Sequence, residues 1–491
     1  MSMSLRSGAR LLVVLALIAP LLTGDALPAA PSESRATTRV ELVATGGDVA
    51  AARDLVAAVG GVVEVVSGGR VQALVPGEAL PVLEAAREVV TVDRPGIFVP
   101  LQTVPALELI GATAWQSAGF TGYQVKVGIL DAGFQNYSTV LGNTLPEHVN
   151  VRSFRSDGQI GAGTSHGLRA AEVVHQVAPG AELYLVNFST VTELSAAVDY
   201  LAERGVRVVS FSLGYIHNGP GDGTGPVNEI VSRGVAAGQT WSVASGNWAQ
   251  QHWIGPFTDQ DNDSIHEFGS VETNQHMFTA GDLISVSLRW DEPWGGACSD
   301  YDLELFAPTG ALVRAARGVQ DCAQDPVESI QVLATQTGNY GIRVIQAHAE
   351  QPRVLELMVV GTPDRGQLLL VNEQRSSLSE PADHPGVITV GALTTAAART
   401  EAPYSSRGPT TDGRFKPNIL APTGAGNSSG VAFGGTSASA PHVAGALALL
   451  LEANPTADTG RLMSLVQVRA VGVAAVSGAS GARRLDLGSL L

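Results

Sequence analysis

Lysine is almost missing from this chain: of 30 basic residues only Lys126 and Lys416 are lysines, and the rest are arginines. Against 46 acidic residues they leave a formal charge of −16 and an isoelectric point near 5.0. A surface of that sign repels phosphate backbones and anionic lipid, which argues against nucleic acid or an acidic membrane as partner. Charge of either sign is itself scarce, at 15% against 45% hydrophobic residues, and this excludes a disordered chain. Cysteine is reduced to Cys298 and Cys322, too few for a disulfide-built scaffold but enough for one structural bridge in an oxidising compartment. Long apolar runs are missing after residue 22, so no stable membrane span is expected in the body of the chain.

What is present begins with a leader. Arg6 and Arg10 precede a twelve-residue apolar run, 11–22, followed by the small residues Gly24, Ala26, Ala29 and Ala30. That run is too short to cross a bilayer but fits an export signal cut near Ala26 or Ala30, with a retained N-terminal anchor as the alternative. Residues 1–30 are accordingly expected to be a signal peptide, and the protein to be secreted or held at the cell surface.

A chain of 491 residues exceeds one hydrophobic core, so several domains are expected. Residues 31–100 read βαββαβ, with strands at 40–43, 62–66, 71–75 and 89–92 and helices at 48–59 and 78–88. This is a ferredoxin-like pattern. From 101 to 255 buried-type strands alternate with amphipathic helices: strand 125–131, a helix opened by Gly163-Thr164-Ser165-His166-Gly167, strand 182–188, helix 192–204, strand 206–213, a helix near 228–237 and strand 240–244. Alternation with short Gly-rich turns predicts an α/β, doubly wound and mostly parallel sheet. Over 256–365 it gives way to period-two runs such as 283–288, 301–305 and 340–344, read as an all-β sandwich placed inside the α/β body. The α/β pattern resumes over 366–491, with strands at 367–371 and 387–393, a helix begun near Ser437, another near 462–471 and a short strand at 485–487.

The stretch Gly434-Gly435-Thr436-Ser437-Ala438-Ser439-Ala440-Pro441-His442-Val443-Ala444-Gly445 brings a serine to a helix N-terminus among small residues. Unpaired N–H groups and the positive dipole end there suit a developing oxyanion. By itself the stretch is equally a capped, buried helix. Asp131 closes a buried strand, and sites in parallel sheets gather at the C-terminal strand ends, where Asn247 also falls. A serine hydroxyl needs an imidazole to take its proton and a carboxylate to hold that imidazole, and Asp131, His166 and Ser437 offer the set in that chain order.

With Val127-Gly128-Ile129-Leu130-Asp131-Ala132-Gly133, Ser165-His166-Gly167, Ser212-Leu213-Gly214, Ala244-Ser245-Gly246-Asn247, Tyr404-Ser405-Ser406-Arg407-Gly408-Pro409, Lys416-Pro417-Asn418-Ile419-Leu420-Ala421-Pro422 and Gly435-Thr436-Ser437 to Gly445 in this order, the chain resembles the subtilisin-like serine proteases, the subtilases. The likeness covers 104–255 and 366–455. It implies a subtilisin-like fold and a secreted endopeptidase acting on protein or peptide substrates through an acyl-enzyme. Ser437 would be the nucleophile, His166 the base and then acid, Asp131 its orienter and Asn247 the oxyanion donor. Ser212, Leu213 and Gly214 would pair with extended substrate as an edge strand. Residues 31–100 would be an inhibitory propeptide removed near 96–105, and the insert an accessory β-sandwich. Two positions depart from the family pattern, Leu168 after His-Gly and Ala132 after the aspartate. Neither removes a proton-transfer group. A catalytically silent scaffold binding protein or carbohydrate through its insert is the other reading. A lipase-type hydrolase is disfavoured, because there the serine precedes the acid and the histidine.

No cofactor is required by this chemistry. Asp259, Asp261 and Asp263, with Glu267 beyond, have the alternating carboxylates that calcium favours but lack the glycine and final glutamate of an EF-hand loop, so a plain Asx-turn loop competes with a structural calcium site. Asp300 and Asp302 read as a solvated strand end, and His175 and His442 as structural. Asn136, Asn187, Asn262 and Asn427 head glycosylation tripeptides.

Overall fold

The structure is a computed structural model and describes residues 37–67, 69–93, 106–362, 366–395, 399–424, 433–473 and 483–488. The expected signal peptide, the maturation segment at 96–105 and the Asn427 tripeptide lie outside these residues. The chain forms two compact units divided near residue 101.

The first unit holds β1 (Thr37–Ala44), α1 (Val49–Ala58), β2 (Val62–Ser67), β3 (Arg70–Pro76), α2 (Leu80–Glu84) and β4 (Val89–Asp93). Its sheet runs β2-β3-β1-β4 with all neighbours antiparallel, over a core of Val40, Leu42, Val56, Val71, Val75 and Leu83. Asp48 caps α1 by accepting the N–H groups of Ala50 and Ala51. The helix expected at 78–88 shrinks to a 3₁₀ turn at Gly77–Ala79 and the five residues of α2. Pro81 fits a first helical turn, and too few apolar residues follow to hold a longer one down.

The second unit opens with α3 (Ala106–Leu109) and α4 (Ala112–Ser117), then β5 (Lys126–Asp131), β6 (Asn150–Ser153), α5 (His166–Val177), β7 (Glu182–Asn187), α6 (Val191–Glu203), β8 (Val208–Phe211), α7 (Pro226–Ala236) and β9 (Thr240–Ala244). Eight further strands follow, β10 (His252–Pro256), β11 (Asn274–Phe278), β12 (Leu283–Trp290), β13 (Asp300–Phe306), β14 (Leu312–Ala316), β15 (Val327–Leu333), β16 (Gly338–His348) and β17 (Val354–Thr362). The α/β order returns with β18 (Val387–Leu393), β19 (Ile419–Pro422), α8 (Thr436–Ala453), α9 (Thr459–Val468), β20 (Val471–Gly472) and β21 (Arg483–Arg484).

The large sheet runs β20-β21-β19-β18-β9-β8-β5-β7-β6 and is parallel except for its last pair, β20 with β21. β5, β8 and β9 are buried on both faces because helices cover both sides. One core gathers Val127, Ile129, Val174, Val177, Leu447 and Leu450, the other Leu130, Leu194, Val198, Ile230 and Trp241. β6, unforeseen in the sequence, is a half-exposed edge strand without a continuous apolar run. β8 stops at Phe211, level with Leu130 and Val243, so the strand expected through 213 ends two residues early and Ser212-Leu213-Gly214 project beyond the sheet.

β10 to β17 make two four-stranded antiparallel sheets, β10-β17-β12-β15 and β11-β16-β13-β14, sharing a core of Phe268, Phe278, Leu288, Tyr301, Tyr340 and Leu357. Cys298 and Cys322 are bonded to each other within this region. The strand expected at 367–371 is irregular, although Leu369 N–H bonds Gln250 O and Leu370 N–H bonds Gln275 O. No helix among the described residues is long and apolar enough to cross a membrane.

Candidate active site

Asp131 is the last residue of β5 and is fully buried. Its carboxylate accepts the Ala132 N–H at 2.8 Å and faces His166 Nδ1 at 2.7 and 2.9 Å. His166 is the first residue of α5, its own N–H held by Thr164 Oγ1 at 3.0 Å. The approach depends on Gly167, because a Cβ there would stand 2.7 Å from the Asp131 Cβ and from the Phe134 ring. Burial pulls the His166 pKa down, but the Asp131 charge and hydrogen bond outweigh it and raise the value above 6.5. Phe433 packs edge-on against the imidazole at 5.4 Å between ring centres.

Ser437 is the second residue of α8, reached through Gly435, whose φ of 78° only glycine adopts easily. Thr436 donates from both N and Oγ1 to Asn247 Oδ1, at 2.9 and 3.0 Å. This fixes the Asn247 amide with its oxygen toward the helix, so that its NH₂ is the group left for the cleft. Pro441 has no N–H for the Ser437 carbonyl four residues before it, and the Ser212 hydroxyl bonds that carbonyl instead at 3.0 Å. Ser212 was expected only as a substrate-pairing backbone; Pro441 shows in the sequence that the Ser437 carbonyl lacks its helical donor, but only the fold brings the Ser212 hydroxyl to it.

Ser437 Oγ bonds the Ser212 carbonyl at 3.2 Å. Among the described residues no hydrogen bond joins Ser437 to His166, so the structure joins Asp131 to His166 and Ser437 to Ser212 as two pairs. Catalytic hydrogen bonds in free enzymes are often open in this way.

Ser212, Leu213 and Gly214 line a cleft of about 360 Å³ together with Ser437 and Asn247, closed by Phe188, Tyr215, Trp248 and Ser379. Trp248 and Ser379 lie outside the motif stretches quoted above, and nothing in their local sequence marks them.

A model of the subtilase family matches residues 122–272 and 337–485, well over half of the chain. The chain belongs to this family. It is 30% identical over 192 residues to subtilisin DY of Bacillus licheniformis, covering 36% of this chain and 67% of that protein. It is 28% identical over 181 residues to alkaline elastase YaB of Bacillus sp. (strain YaB), covering 35% of this chain and 47% of the elastase, so the match spans about half of that relative's length. Among solved structures the CspB protease of Clostridium perfringens superposes with a TM-score of 0.52 at 16% identity, over 77% of this chain and 97% of that one, which supports the shared fold.

Two other groups named from the sequence lie elsewhere in this subtilase. Asp259, Asp261 and Asp263 can bring carboxylate oxygens within 4.8 Å of one another, in reach of a single cation. The same carboxylates accept backbone N–H groups as Asx turns do, Asp259 from Asp263 and Ser264, and Asp263 from Ile265. His442 is buried with Nδ1–H on Ala438 O, and burial pushes its pKa down to about 4.

Proposed function

We propose that this subtilase is a secreted serine endopeptidase. The observation that carries the reading is the Asp131–His166 contact of 2.7 Å at the C-terminal edge of the sheet, with Ser437 at the α8 N-terminus on the same cleft as Asn247. In this reading the Ser437 hydroxyl leaves the Ser212 carbonyl and hydrogen-bonds His166 Nε2 when substrate binds. The oxygen then attacks the scissile carbonyl as His166 accepts its proton, and Asp131 stabilises the imidazolium. Negative charge gathers on the carbonyl oxygen, where the Asn247 NH₂ and the Ser437 N–H meet it. The C–N bond breaks as His166 protonates the leaving amine, and water, activated by the same imidazole, releases the acyl group. Substrate lies extended against 212–214, which follow the last paired residue of β8, Phe211, and line the cleft.

Residues 1–30 direct export in this reading. The separate first unit serves as the inhibitory propeptide, the β10–β17 region is an accessory module inserted in the catalytic domain, and the Asp259 loop takes a structural calcium. The position of the first unit between the leader and the catalytic body, and its own small core, support its part in this.

The Ser437–Ser212 bond favours a second reading, a silent scaffold in which the serine proton is never released. A fluorophosphonate probe decides. Labelling of the mature protein that disappears in Ser437→Ala establishes the enzyme, whereas a folded mature protein that takes no label establishes the scaffold.

A further inference from the structure

A buried group of charges sits where the β10–β17 sandwich meets the α/β body, and nothing in the proposed proteolytic steps uses it. Its centre is Arg289, on β12 of the sandwich, with a side chain 7% exposed. One Arg289 nitrogen, Nη2, reaches Glu356 Oε2 on β17 at 2.7 Å, a pair internal to the sandwich. The other, Nη1, leaves the sandwich and donates to Gly219 O at 2.7 Å and to Glu380 Oε1 at 3.3 Å, both in the body.

Those two partners belong to the walls of the substrate cleft. Gly219 lies on the segment that continues from Ser212 through Tyr215, and Glu380 follows Ser379 directly, with Tyr215 and Ser379 both lining the cleft. Backbone bonds between Tyr215 and Glu380, 2.8 and 2.9 Å, clip the two walls together, and the Asn218 N–H reaches Glu380 Oε2 at 3.3 Å. His217, on the same wall, turns into the sandwich to Ser287 Oγ at 2.9 Å and Glu356 Oε1 at 3.3 Å. Gly221 closes over the guanidinium: a Cβ there would stand 2.7 Å from Nη2. A buried ion cluster adds little stability over apolar packing of the same volume, but a planar fork with fixed donor directions sets geometry.

We propose that Arg289, supplied by the sandwich, is a positioning residue of the cleft, holding wall segments 213–221 and 379–383 in the arrangement that binds extended substrate. The sandwich is then part of the peptide-binding apparatus, and the cleft is complete only while the sandwich is folded and seated. The kinetic consequence rests on the endopeptidase reading; the structural one does not.

The test compares the full chain with two variants. Arg289→Lys keeps the charge and loses the fork. The double variant R289M/E356Q removes both members of the pair inside the sandwich, so that neither is left buried and unpaired should the lysine variant fail to fold. Hydrogen exchange is expected to accelerate about tenfold or more in 213–221 and 379–383, while 126–131 and 436–453 keep wild-type protection. Peptide KM is expected to rise about tenfold with kcat within about threefold, and fluorophosphonate labelling of Ser437 to stay within about twofold. Wild-type exchange in both walls overturns the proposal. So does a parallel fall of kcat, labelling and protection throughout the body, which marks Arg289 as a folding residue only. If the wild-type protein takes no label, the protease reading fails and the exchange measurement still decides the role of Arg289.

Discussion

In the proposed mechanism His166 meets two opposed demands: to accept a proton from Ser437 it must be neutral, yet Asp131 at 2.7 Å stabilises its charged form. Burial lowers its pKa, Asp131 more than restores it, and the net value lies above 6.5. Activity is therefore expected to fall as pH drops through that raised value, and the acid limb of kcat/KM to shift to lower pH in Asp131→Asn, with kcat down roughly 10⁴-fold. A pH–rate series on both proteins checks this. Stability runs the other way. A raised folded-state pKa contributes stability that is fully present below 6.5 and is lost as pH rises through the folded value, so thermal scans of His166→Gln against wild type should differ more at pH 5 than at pH 9. Asn247→Leu removes the proposed oxyanion donor and the acceptor of both Thr436 bonds. It is expected to lower kcat roughly 10²–10³-fold with little change in KM, read in steady-state kinetics on one peptide. Of the proposed site, Asp131, His166, Ser437 and Asn247 were named from the sequence because each stands in a motif of small neighbours at a strand or helix end. The Ser212 hydroxyl and the Ser379 and Trp248 walls were not, because only the folded chain brings them to α8 and to the cleft.

α5 and α8 carry His166 and Ser437, so their packing sets the distance between the proposed base and nucleophile. They cross where Gly445 meets Val177, and a Cβ on Gly445 would fall 2.5 Å from the Val177 Cβ. Gly445→Ala is expected to push the helices apart, to cost about 1–3 kcal/mol in denaturant unfolding and to lower kcat more than KM. A thermally weakened variant with unchanged kcat would detach this crossing from catalysis. The buried parallel strand β5 announced itself as a run without polar side chains, 127–130, ended by Asp131. β6 did not, since one half-exposed edge strand has no such run, and α2 fell short of the eleven residues expected because local propensity alone does not hold a helix that buries only Leu83.

The sandwich leaves the body after β9 and returns before β18, and these two strands are neighbours in the large sheet, paired from Trp241 with Val387 to Ala244 with Val390. An excursion that starts and ends at adjacent strands leaves the sheet order intact. The Cys298–Cys322 bond closes a separation of 24 residues within it. Replacing both cysteines by serine is expected to cost about 2–4 kcal/mol, seen as a lower midpoint and faster exchange in β13–β15, with the large sheet protected as before. Residue types and their order by themselves determined the α/β alternation, the period-two region and the chemistry proposed for Asp131, His166 and Ser437, because burial pattern and proton-transfer capacity are properties of local strings. Only tertiary structure decided that Ser437 rests on Ser212, that Trp248 and Ser379 close the cleft and that Arg289 of the sandwich reaches its walls. Those contacts join segments separated by up to 225 positions, and no local pattern encodes which distant surfaces a fold will press together.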